Sequence, residues 1–238
     1  MQTQNYLYKK QIAINEHISV VVPTVGEILD NEDAYYGLLS MFTAMPIDYM
    51  VQLDDAGIDF STLNSWELFL LLFNAIRMQD TSLVISGVDL SKFQMAINEQ
   101  NGMVVLLDTE HDIMIDPAIH EMIANVLRKI HHLEKDIRKP ANEEARKYLI
   151  ERARIKQRRN RNRKENSQLE MLIVAMVNTE QYKYDYEGTR NISIYQFNES
   201  VRQIIHKVDY DHRMYGVYTG TISAKDLSQD DLNWLRHK

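Results

Sequence analysis

Asn64-Ser-Trp-Glu-Leu-Phe-Leu-Leu-Leu-Phe73 is the stretch on which the fold turns. Trp66, Phe69, Leu70 and Phe73 recur at three- and four-residue spacing, the period of a helix that buries one face. Asn64 or Ser65 can cap it. Directly after it the period drops to two. Leu83-Val-Ile85, Phe93–Ile97, Met103–Leu107 and Ile113–Ile115 are short β-like runs. Asn101-Gly102 between two of them is the strongest hairpin signal in the chain, because both residues tolerate positive φ. Asp108-Thr-Glu-His-Asp112 supplies a second turn. A core helix beside a small antiparallel sheet predicts an α+β chain.

Upstream, Ile12 and Ile14 alternate, then Ile18, Val20 and Val22, with Asn15-Glu16 at the turn. This predicts a β-hairpin that could join the sheet. Pro23 ends its second strand. Thr24-Val-Gly-Glu27 is a capping-box pattern opening a short helix. A second helix is expected across Ala34–Phe42, and a third from Pro46 to near Gly57.

Downstream the reading is mainly helical. Asp116-Pro117 starts a helix with an apolar stripe of Ile119, Ile123, Val126, Leu127, Ile130 and Leu133, which Pro140 should break. Residues 142–164 are expected to be helical, with a weak apolar face of Tyr148, Leu149, Arg152 and Ile155. Leu169–Val177 reads as a short buried helix. Tyr182, Tyr184 and Tyr186 alternate as on one face of a strand. Ile194, Phe197, Val201, Ile204, Ile205 and Val208 mark a last long helix, which Gly216 and Gly220 should loosen. Ser228-Gln-Asp-Asp231 can cap a final turn holding Trp234. These segments divide the chain into an α+β domain at 1–138, a basic helical segment at 139–168 and a mostly helical region at 169–238. There is no internal repeat.

The 238 residues (28.0 kDa) include no Cys, which excludes disulfides, Cys-zinc sites, Fe–S clusters and a thiol nucleophile. The longest apolar runs, Leu68–Phe73 and Met171–Val177, are far below the roughly 20 residues of a membrane span, so no membrane partner is expected. The N-terminus has no apolar signal core. No GxxxxGK[ST], GxGxxG or GxSxG string occurs. His131-His132 lie about 100° apart on a helix and cannot converge on one ion. Asp108, Glu110, Asp112 and Asp116 crowd one loop, yet Ile113 and Ile119 stand where a calcium loop needs Gly and Glu. Asp54-Asp55 and Asp230-Asp231 suit helix ends. No catalytic residue, metal site or cofactor is therefore expected.

One segment is far from average. Arg152, Arg154, Lys156, Arg158, Arg159, Arg161, Arg163 and Lys164 place eight cations in thirteen residues with no acid among them. With the chain at −7, these eight leave −15 on the remainder. An acidic body repels phosphate, so nucleic acid is the weaker reading for this segment. Self-docking, an acidic protein partner and a solvated helix end stay open.

The opening string Val20-Val-Val-Pro-Thr-Val-Gly-Glu-Ile-Leu29 is similar to tail-assembly chaperones of tailed bacteriophages, and Ile192-Ser-Ile-Tyr-Gln-Phe-Asn-Glu-Ser-Val201 resembles a helix of phage chaperone-like morphogenesis proteins. The central body and basic segment, roughly half the chain, have no counterpart there. The resemblance implies a non-catalytic tail morphogenesis protein, either a chaperone of the tape-measure protein or a baseplate or neck subunit. Its partners would be other tail proteins or further copies of itself. It would act in the host cytoplasm during assembly, or stay in the virion.

Overall fold

The computed structural model describes residues 5–99, 101–160 and 167–235. The chain is α+β, as its sequence predicts, with two small sheets in the N-terminal half and helices after them. β1 (Gln11–Ala13) and β2 (Ser19–Val21) form the expected hairpin. The Asn15 side chain closes it by accepting from the amides of His17 and Ile18 at 2.9 and 2.7 Å. Thr24 and Glu27 form the capping box of α1 (Val25–Leu29). α2 (Glu32–Thr43) follows. Pro46 opens a 3-10 turn that runs into α3 (Met50–Asp55), which stops at Gly57 with φ +73°. α4 (Ser65–Ile76) starts at Asn64, and buries Trp66, Phe69 and Phe73 and part of Leu70.

The β-like runs do not make one sheet. The Leu83–Ile85 run yields β3 (Ile85–Ser86), which pairs with β2 of the hairpin. A separate antiparallel sheet takes β4 (Gln94–Ile97), β5 (Val104–Asp108) and β6 (Ile113–Ile115) in that order. Close approach explains the split: the backbone of Gly87, at φ +90°, lies so near the His17 carbonyl that no Cβ would fit.

The turn between β4 and β5 is wider than the two-residue hairpin that Asn101-Gly102 suggests. Asn98 and Met103 close it, and Gly102 takes positive φ (+69°). Gly102→Val should still cost about 1–3 kcal/mol, because a β-branched side chain resists the left-handed region. A chemical-denaturation midpoint equal to that of the wild type would show that this turn carries no strain when substituted.

Asp116 caps α5 (Pro117–His131), with Pro117 in the first turn. Pro140 does not end this helix. His132 does, in the left-handed conformation at φ 54°, with the Leu133 amide reaching back to the Arg128 carbonyl. Two contacts from α9 (Ile194–Tyr218) favour that stop. The Asn198 amide donates to the Ile130 carbonyl, and the Tyr195 ring stacks on His132.

α6 (Glu143–Asn160), α7 (Gln168–Val177) and α8 (Tyr186–Asn191) complete the chain with α9. α7 is not wholly buried: Leu169, Ile173 and Met176 face the core while Met171, Leu172 and Val174 are exposed. The three alternating tyrosines form no strand. Tyr182 is buried, with its hydroxyl 3.0 Å from the Thr189 hydroxyl, and Tyr186 opens α8 behind the Asp185 cap. α9 runs through Gly216 without loosening, because the Ile222 side chain packs against the space a Cβ would fill. Ser228 and Asp231 exchange capping hydrogen bonds, but the described residues after them turn without forming a helix.

A single apolar cluster joins the halves. Val20, Ile28, Phe42, Phe73, Leu127 and Phe197 belong to it. Backbone bonds from Val25 N to the Ile192 carbonyl and from Ile194 N to the Pro23 carbonyl clip the start of α9 to the N-terminal hairpin. A smaller cluster of Ala44, Ile47, Leu53, Phe60 and Leu68 receives Ile150 from α6. It seats the basic helix on the body.

Candidate protein-binding groove

Ile150 is the one fully buried residue of α6 among those described. The expected apolar face of Tyr148, Leu149, Arg152 and Ile155 is therefore corrected: Tyr148 and Ile155 are exposed. Ile150 seats α6, and charge orients it. Arg146 and Arg154 stand one turn before and after Ile150, on the same face. Arg154 bonds the carboxylates of Asp54 and Asp55 at 2.7 and 2.6 Å. Arg146 lies 3.8 Å from Asp54 and 3.6 Å from Asp59, and pairs with Glu143 at 2.6 Å. Glu143 hydrogen bonds first, with the Asp59 and Asp54 charges, hold the Arg146 guanidinium well above its ordinary range. For Arg154 the Asp54 and Asp55 bonds do the same.

Asp54 and Asp55 sit in the last turn of α3, where the helix dipole disfavours carboxylates. Their role is not to cap α3 but to receive a cation from α6. Each such exposed pair contributes about 0–1 kcal/mol, so the network sets orientation more than stability. Asp231, of the other acidic pair, bonds Arg213 of α9 at 2.6 Å.

The basic residues thus separate into classes. Arg154 docks on the chain's own acids. Arg152 lies over the Tyr148 ring at 5.7 Å. Lys156, Arg158 and Arg159 are exposed and make no ion pair among the described residues. Arg161, Arg163 and Lys164 lie outside the described residues.

Alongside α6 runs a groove of about 1430 Å³. Its floor comes from Ile47, Met50 and Val51, one wall from Leu149 and Ala153 of α6, and the other from residues 133–142, which carry Arg138 and Lys139. Sequence reasoning missed this groove. Only the cationic string signalled it, because the opposing wall is brought in by the early stop of α5.

The remaining candidates stay apart. Ligand atoms of Asp108, Glu110 and His111 lie within 4.8 Å of one another. Asp108 already accepts from the Glu110 amide and the His111 ring, and Glu110 pairs with Lys92. The Asp108 carboxyl is held below its usual range by the His111 bond and the Glu110 and His111 amides, against its burial. His131 and His132 point to different partners, Tyr35 and the Tyr195–Glu199 side of α9. No helix among the described residues is long and apolar enough to cross a membrane.

Residues 160–238 match the family model described as the YomV second domain. The matched family is phage-associated. The match takes in α7, α8 and α9, and reaches the groove only at Asn160. No curated protein and no solved structure matches the chain.

Proposed function

We propose that the protein is a non-catalytic phage tail assembly protein that binds other tail proteins, as a chaperone of the tape-measure protein or as a baseplate or neck subunit. One observation carries the reading. α6 is oriented on the body by Arg146 and Arg154, yet it presents Lys156, Arg158 and Arg159 to solvent with no ion pair among the described residues. Cations held on a fixed helix attract an acidic protein surface and set its register. The phage-associated match supports a phage protein, and the likeness of the opening residues to tail-assembly chaperones is the ground for placing it in the tail. The −15 on the rest of the chain opposes a nucleic-acid role for the same cations.

The triple variant Lys156→Gln, Arg158→Gln and Arg159→Gln tests it. Its thermal midpoint should stay close to wild type, as for exposed positions generally. Capture of tail proteins from the same genome, the tape-measure protein first, should fall, with the largest loss at low salt. Equal capture by both forms at two ionic strengths would sink the reading. A steep salt-dependent affinity for DNA, lost in the variant, would replace it with nucleic-acid binding. Presence in purified particles would mark a subunit, and absence a chaperone.

A further inference from the structure

We infer that the groove beside α6 is a receptor for an acidic, amphipathic helix of the partner protein. The inference rests on the protein-binding reading above and names the chemistry of what is bound.

The charge around the groove is lopsided once internal pairs are set aside. Three acids line it: two are neutralised by ion pairs, and Asp48 keeps its charge against three cations. Asp136 is held by Arg138 at 2.8 Å. Asp55 accepts from Arg154 at 2.6 Å. Asp48 accepts from the Met45 amide at 2.8 Å. Three cations of the lining, Lys139, Lys156 and Arg158, have no ion pair among the described residues. The rim therefore offers positive charge on both walls.

Between those walls lies a strip of apolar side chains. Ile47, Met50 and Val51 form the floor. Ala145, Leu149 and Ala153 recur every fourth residue along the facing side of α6. The two alanines leave room for a close backbone approach, and Tyr148, 59% exposed, stands at the edge. A floor of this kind needs apolar side chains on one face of its occupant, and the rim needs carboxylates on either side. A helix carrying apolar residues at i, i+3, i+4 and i+7, flanked by acids, meets both conditions.

Size points the same way. At about 1430 Å³ the groove exceeds the roughly 300–1,000 Å³ of small-molecule sites. α6 is 18 residues long, which at 1.5 Å per residue gives a wall of about 27 Å, enough for several turns of a second helix. A nucleic acid would find cations at the rim and the single Tyr148 ring at the edge, but Ile47, Met50 and Val51 of the floor offer its bases neither stacking rings nor hydrogen-bond partners.

The test uses the full chain and a fluorescein-labelled synthetic 16-residue peptide, with Leu at helical spacing on one face and Glu elsewhere. A permuted peptide of identical composition serves as the control. The helical peptide should bind at least tenfold more tightly than the permuted one. Ala153→Glu in the α6 wall and Lys156→Glu with Arg158→Glu on the rim should each weaken it tenfold or more, with circular dichroism unchanged. Should Ala153→Glu disturb α6, Lys139→Glu reads the same groove from the opposite wall and should weaken binding by a similar factor. Equal affinity for the two peptides, or binding untouched by these substitutions, would overturn the inference. If both peptides fail to bind while tail-protein capture persists, the groove inference falls and the assembly reading stands. If capture fails as well, both fall.

Discussion

Phe69→Ala is expected to destabilise the protein by about 3–5 kcal/mol, the range for a large core aromatic cut to a methyl group. Phe69 is 2% exposed and lies at the centre of an aromatic group. Its ring centroid is 4.3 Å from His120, 5.4 Å from Phe42, 5.7 Å from Trp66 and 6.3 Å from Phe73. Truncation removes contacts to α2, to α5 and within α4 at once, and these rings cannot all move in to fill the space. Against a typical stability of about 5–15 kcal/mol the loss is large. Urea unfolding measures it, as a fall in midpoint at unchanged slope. An unchanged midpoint would mean that α4 is not the central core helix.

The second expected result is a loss of stability on mild acidification. His120 is 1% exposed, packed against both Trp66 and Phe69, and neither ring nitrogen has a partner at ordinary hydrogen-bond distance. Burial pushes its pKa down to about 4; the Glu121 carboxylate and the Phe42 carbonyl pull the other way, and the charges of Arg128 and Lys135 add to the lowering. The folded state therefore keeps this ring neutral at a pH where the unfolded chain protonates it. Above about pH 6.5 both states are neutral and the group adds no pH dependence. As pH falls from there to about 4, the unfolded state takes up a proton that the folded state does not, and stability drops by roughly 3 kcal/mol. His131, also lowered to about 4 by burial and by its neighbour His132, adds to the same window. Its Nε2 lies 2.7 Å from the Tyr35 hydroxyl, which can donate only to the neutral ring.

His120→Phe isolates the effect. It keeps the ring in the aromatic group and removes two unpartnered polar atoms, so the stability slope between pH 6.5 and 4 should flatten by about the share of one histidine. A variant with the full wild-type slope would place the acid sensitivity elsewhere.

Much of this structure was legible because its signals are local. Thr24-x-x-Glu27, Asn64-x-x-Glu67 and Asp116-Pro117 satisfy free amides at helix starts within a few residues, so they act wherever they stand. The spacing of Trp66, Phe69 and Phe73 fixes which face of α4 is apolar, whatever covers it. The Gly102 turn, the hairpin at Asn15 and the α+β class follow from the same short-range rules.

The candidate site was legible only in half. The eight cations stood out, but not that Arg154 would turn inward to Asp54 and Asp55 while Lys156 and Arg158 stayed outside. Both kinds of arginine read alike in a string. Only the partner one hundred residues away separates them. The misread tyrosines show the same limit, since alternation at Tyr182, Tyr184 and Tyr186 also arises in a loop that happens to bury its first ring.

By itself, then, the sequence determined where helices begin, which faces are apolar and that one helix carries an unusual positive charge. These depend on capping bonds and side-chain periods that span a turn or two. The tertiary structure decided that β3 leaves its neighbours for the N-terminal hairpin, that α5 stops at His132 rather than Pro140, and that residues 133–142 face α6 across a groove. Each rests on a contact between segments far apart in the chain: Gly87 against His17, Asn198 and Tyr195 at the end of α5, and Arg154 on α3. Their energies exist only once the core has brought the segments together, so no local pattern records them.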